Sequence, residues 1–85
     1  MGNVIRATEA IINLIEPIMA NDGVDAATKV YNTLSAVMGY PDVEFSEKLL
    51  VIQGVTRFLI KNCGVNSLMT EAALKISAEN NIMLN

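Results

Sequence analysis

Asn21-Asp22-Gly23-Val24-Asp25 and Asn62-Cys63-Gly64-Val65-Asn66 are two versions of one phrase, and the fold turns on how they are interpreted. A glycine just past a last helical turn takes the left-handed conformation at no steric cost, and the hydrophobe behind it packs back on the helix it has left. Asp25 and Asn66 then stand where a side-chain oxygen can cap the next helix. Two such joints predict an all-α, compact four-helix domain made of two antiparallel helical hairpins.

The segment before the first joint reads as a helix of about residues 4–19, with Asn3 as its cap. Its apolar positions cover an arc of about 220°, far wider than the roughly 100° stripe of an ordinary surface helix. Pro17 lies inside it, removes a backbone donor and presses on the carbonyl of Asn13, so a kink is expected there. After the joint, a helix of about 26–38 closes at Gly39, with Val30, Leu34 and Val37 on its buried face. Tyr40-Pro41-Asp42-Val43-Glu44-Phe45 is the one real loop, and Ser46 is the best cap for the helix after it.

The third helix, about 47–62, is apolar nearly all round and therefore central. Gly54 in its middle costs about 1 kcal/mol against alanine, which close approach of another backbone would offset. The fourth helix, about 67–79, stops at Asn80-Asn81, and the apolar tail Ile82-Met83-Leu84 is expected to dock. On this reading the first and third helices lie inside and the second and fourth outside.

Aligning Gly23 with Gly64 sets Ile11 on Ile52, Leu14 on Val55 and Ile18 on Leu59, so the helices before the joints match at core spacing. Beyond the joints the match fades, with Val30 on Glu71. A duplicated hairpin and plain convergence on good turn chemistry both account for this, and two copies are too few for a solenoid.

Composition bounds the partners. Eighty-five residues make one small domain, yet 52% are hydrophobic, more than such a domain hides on its own. The most apolar stretch, Leu49 to Ile60, is interrupted by Gln53, Thr56 and Arg57 and falls short of the roughly 20 residues of a membrane span. The net charge of −3, with six Lys and Arg spread along the chain, argues against nucleic acid. One cysteine, Cys63, points to a reducing cytoplasm, and the lack of histidine removes the commonest general base and metal ligand.

Three stretches look chemical. Asp22-Gly23 with Asp25 suggests a calcium loop, but placing Gly23 at loop position six puts Ile18 and Ala20 where oxygens belong and Lys29 where a bidentate acid belongs. Gly64-Val65-Asn66-Ser67-Leu68-Met69 resembles the attachment motif of acyl carrier proteins over about six residues. Asn66 stands where that family has its acid, and the chain ends before the family's last two helices, so Ser67 is read as a first-turn residue. Phe58 to Lys75 has the outline of a helix-turn-helix, but its second helix offers one cation, Lys75, beside Glu71 and Glu79. No pair of carboxylates is placed by spacing as an acid–base couple.

The expected function is therefore non-enzymatic, with no cofactor and no metal. The chain reads as a small, acidic, cytoplasmic protein-interaction module (regulatory, adaptor or inhibitor) acting as a homo-oligomer, most simply a homodimer, and binding another protein. The expected contact residues are Ile5, Ile12, Ile15, Tyr40, Phe45, Val51 and Phe58. The alternative is a binder of a small apolar ligand in a helical cavity or at the oligomer interface, since five methionines and many branched aliphatics make an adaptable lining. A helix-turn-helix-like DNA-binding regulator is the lesser alternative.

Overall fold

Pro17 ends the first α-helix before the predicted limit. In the computed structural model, which describes residues 2–84, α1 spans Gly2–Ile15 and continues as a 3₁₀ segment over Glu16–Asn21. Proline has no N–H to give to Asn13, and its ring crowds that carbonyl, so the chain tightens instead of bending as one α-helix. Three more helices follow: α2 (Val24–Gly39), α3 (Phe45–Cys63) and α4 (Leu68–Glu79). No strand occurs among the described residues.

The two joints differ, although their sequences echo one another. Gly64 has φ 84 and ψ 163, a conformation essentially confined to glycine, and its N–H donates to the Ile60 carbonyl at 3.1 Å. Gly23 has φ 179, extended backbone that any residue adopts, and it starts α2 by accepting from Ala27 N–H at 2.9 Å. The left-handed glycine predicted at both joints is thus found at one.

The caps shift as well. Asp25 lies inside the first turn of α2, and Gly23 at the cap position makes no side-chain bond. Ser67, not Asn66, caps α4, its Oγ accepting from Met69 N–H at 3.1 Å and Thr70 N–H at 3.4 Å. Ser46 lies within the first turn of α3, where the Glu44 carbonyl takes the first helical bonds.

At the other end of α4 the expected stop holds. Asn81 has φ 57, Ile82 N–H reaches back to the Ser77 carbonyl at 2.8 Å and Asn81 N–H to Ala78 at 3.3 Å, the two bonds of a Schellman motif. Ile82 is buried by this turn, and Gln53 Nε2 donates to the Met83 carbonyl at 2.5 Å, so the tail docks on its own core.

Packing runs α1 on α3, α3 on α4 and α4 on α2. The core is Val30 and Leu34 from α2, Val51, Ile52, Val55 and Leu59 from α3, and Met69, Ala73 and Ile76 from α4, closed by Ile11 and Ile15 of α1. The expectation that α1 lies inside and α4 outside is therefore reversed. α4 buries Met69, Thr70, Ala72, Ala73, Ile76 and Ser77, whereas α1 buries only Ile11 and Ile15. Small residues on α4 let its neighbours approach on both sides, a feature that counting large hydrophobes overlooks.

Buried hydroxyls are satisfied by backbone carbonyls: Thr56 donates to Ile52 at 2.7 Å and Ser77 to Ala73 at 3.0 Å within their own helices, and Thr70 of α4 to Leu59 of α3 at 3.3 Å. Gly54 lies under α1, where an added Cβ would stand 3.0 Å from Cγ2 of Thr8. The close approach predicted at Gly54 is to this side chain. The radius of gyration, 11.7 Å, matches the roughly 12 Å expected of a compact chain of this length.

Candidate functional site

Four helices arranged in a ring have four sides, and here three are closely packed. The fourth, between α1 and α2, is the least packed, and α2 also meets the 3₁₀ segment there. Lys48 of α3 reaches across to α2, its Nζ donating to the Met38 carbonyl at 2.7 Å and satisfying a free acceptor at the helix end. Above this floor runs a groove of about 500 Å³. Val4 and Ala7 form one wall, Ala36, Val37 and Tyr40 the other, and Val51 lies at the bottom. Asp42 and Glu47 edge its loop end. Asp42 has φ 61, a conformation that Asp tolerates better than most residues.

The predicted contact residues divide into three groups. Ile5, Tyr40 and Phe45 are exposed, Tyr40 at 64%. Ile12 and Phe58 are half-buried, Phe58 packed against the core. Ile15 and Val51, exposed by 2% and 4%, belong to the monomer's own interior. That corrects their assignment to an intermolecular face: Ile15 closes the core from α1, and Val51 is both core and groove floor. The apolar arc of α3 is wide partly because α3 packs on both α1 and α4.

Leu14 lies outside the predicted contact set. It is 63% exposed, although alignment of the joints pairs it with Val55, which is fully buried. Ala36, Val37 and Val43 also line the groove and are absent from that set. The signal for Leu14 is its position in the helical spacing: it lies four residues past Ala10 and away from the Ile11–Ile15 stripe.

A second cluster joins the two turns. The Asp22 carboxylate sits at the N-terminus of α4. Its Oδ1 accepts from Ser67 Oγ at 3.0 Å and Met69 N–H at 3.2 Å, and its Oδ2 from Leu68 N–H at 3.3 Å. A carboxylate is stabilised there by free amides and the positive end of the helix dipole. Cys63 lies beside this pair, and its thiol is pushed above the usual range by partial burial and then by the Asp22 charge, against a Ser67 hydrogen bond that lowers it. A thiol held protonated is a poor nucleophile. Ser67 itself is buried and bonded on both sides, as a cap.

The exposed side of α4 is tied to α2. Tyr31 Oη donates to Glu79 Oε1 at 2.7 Å, and Lys75 Nζ stands 5.4 Å from the centre of the Tyr31 ring. The one cation on the second helix of the helix-turn-helix outline thus already has a partner. Among the described residues no group of three or more His, Cys, Asp or Glu is placed to hold a metal ion, and no helix is long and apolar enough to cross a membrane. No family model, curated protein or solved structure matches the chain.

Proposed function

We propose that this chain is a non-enzymatic protein-interaction module of the cytoplasm that works as a homo-oligomer, most simply a dimer of two-hairpin subunits, and regulates or adapts a second protein. One observation carries this reading: large apolar side chains remain uncovered on a fold whose core is already complete. Ile5, Leu14, Tyr40 and Phe45 are exposed while Ile15, Val51 and the rest of the interior are sealed. Apolar surface left outside a finished core is removed from water by association, at about 25 cal/mol per Å² before the cost of binding.

Light scattering on the eluting protein tests the first half. The expected result is a mass of at least twice the 9.2 kDa chain at micromolar concentration. A strictly monomeric species would overturn it.

The groove favours a second reading, a binder of a small apolar ligand. Its volume of about 500 Å³ lies within the roughly 300–1,000 Å³ of small-molecule sites. Native mass spectrometry of freshly expressed protein separates the two readings: a retained small mass supports the ligand, and bare protein subunits support the module. DNA binding predicts salt-sensitive retention on heparin, and the engaged Lys75 and acidic net charge lead us to expect none.

A further inference from the structure

The connection from α1 to α2 has a firm part and a weak one. Asp22 is fixed on the N-terminus of α4 by its bonds to Ser67, Leu68 and Met69. Just ahead of it, Glu16–Asn21 is a 3₁₀ run of six residues, none of them buried. Hydrogen bonds of the 3₁₀ kind are poorly aligned, so runs longer than about three or four residues are uncommon. Pro17 keeps this run from closing into an α-helix, because it has no N–H to give to Asn13.

This weak link carries a helix that is held on one side. Among the described residues α1 packs closely only on α3 and on the 3₁₀ segment that follows it. Ile11 and Ile15 are its buried residues, and Thr8 meets Gly54 of α3. The core of α3 in turn needs that cover: Val51, Ile52, Val55 and Leu59 form one cluster with Ile11 and Ile15. A released α1 therefore has to be replaced by another helix of the same shape.

Resting on the homo-oligomer reading, we propose that two copies of this chain exchange α1: Glu16–Asn21 opens as a hinge, and each α1 docks on the α3 of the other copy. The surface that receives the partner's α1 is the one that receives α1 within a single chain. Every contact of the closed form is remade, so complementarity is already present and only the hinge changes. Six residues span about 12 Å as a 3₁₀ segment and up to about 20 Å when extended, which frees α1 to leave its own α3. Within one chain α1 is favoured by its high effective concentration, and the poor hydrogen bonding of the folded-back hinge opposes that advantage. The two opened hinges pass each other at the two-fold axis. Leu14, 63% exposed just ahead of the hinge, is brought to where the chains cross.

The test uses the full chain. In a Cys63→Ser background, Thr8→Cys and Gly54→Cys are introduced together. A Cβ at Gly54 stands 3.9 Å from Cβ of Thr8, within the roughly 3.5–4.5 Å of disulfides. The dimer fraction is isolated by size and then oxidised. Bonds between chains are expected, giving a covalent species of twice the 9.2 kDa chain on a non-reducing gel. A dimer whose bonds all lie within single chains would overturn the exchange of α1 while leaving the homo-oligomer reading intact. Wild-type protein that is monomeric at about 100 μM would overturn both.

A second variant leaves the α1–α3 contact untouched and decides the matter if the cysteine pair fails to fold. Four residues, Gly-Ser-Gly-Ser, inserted between the exposed Ala20 and Asn21 let α1 fold back without the 3₁₀ run. The dimer is expected to weaken by about tenfold or more, with helical circular dichroism kept. An unchanged dimer would overturn the proposal, since copies that meet only at their surfaces are indifferent to the length of this hinge.

Discussion

At single residues, Asp22 has the most unexpected place. It belongs to the first joint and caps the helix that leaves the second, so removing it should be felt in α4. Asp22→Ala is expected to cost about 1 kcal/mol in urea unfolding, the usual worth of an exposed cap. Asn66→Ala, at the position read from sequence as the cap, should stay within about 0.5 kcal/mol of wild type. The two glycines make a second contrast. Gly64→Ala forces a side chain into φ 84 and should destabilise by about 1 kcal/mol or more. Gly23→Ala meets nothing closer than the Asn21 carbonyl at 3.9 Å and should be neutral or stabilising by about 0.5 kcal/mol. Equal effects at the two glycines would contradict the structural difference between the joints. Sequence alone marks both glycines as turn residues, correctly, but one letter does not tell an extended glycine from a left-handed one.

Between elements, α1 and α3 meet at Thr8 and Gly54. Thr8 is held in place because its Oγ1 donates to the Val4 carbonyl at 2.7 Å. Gly54→Ala gains about 1 kcal/mol of helix propensity but meets Cγ2 of that fixed side chain at 3.0 Å. The single variant is expected to lose stability, and the same change in a Thr8→Ala background to gain it. A double-mutant cycle showing no coupling between the two sites would refute the contact. The α2–α4 pair carries a pH effect. The Tyr31 phenol titrates above the usual tyrosine range, chiefly because it donates to Glu79, with partial desolvation and the Glu79 charge adding to the shift. A folded-state pKa above the unfolded one means stabilisation that is complete below the unfolded value, about 10, and lost as pH rises through the folded one. Absorbance titration of tyrosinate should show one late phenol, moved earlier by Glu79→Gln and absent in Tyr31→Phe. The spacing rules that find four helices to within a few residues have no means of finding either contact, because each joins residues distant in the chain.

For the whole molecule, the homo-oligomer proposal predicts that folding and association are coupled. If a second copy joins the first, the melting temperature should rise with protein concentration, as it does whenever the native state alone binds a partner. A melting temperature constant over a hundredfold dilution would count against that coupling. The helical class, the four segments, the turn chemistry at Gly64, the stop at Asn80-Asn81 and the surplus of apolar residues are all legible in the order of the residues. They depend on neighbours in the chain, whose spacing and backbone preferences are local. Which helices are internal, which side of the bundle is least packed, that Asp22 caps α4, and that Ile15 and Val51 are core while Leu14 is surface emerge only once the helices are packed. Each of these depends on which faces meet across the fold. Ile11, Leu14 and Ile15 are equally apolar, and only the position of α3 beneath α1 separates the two that are buried from the one left outside.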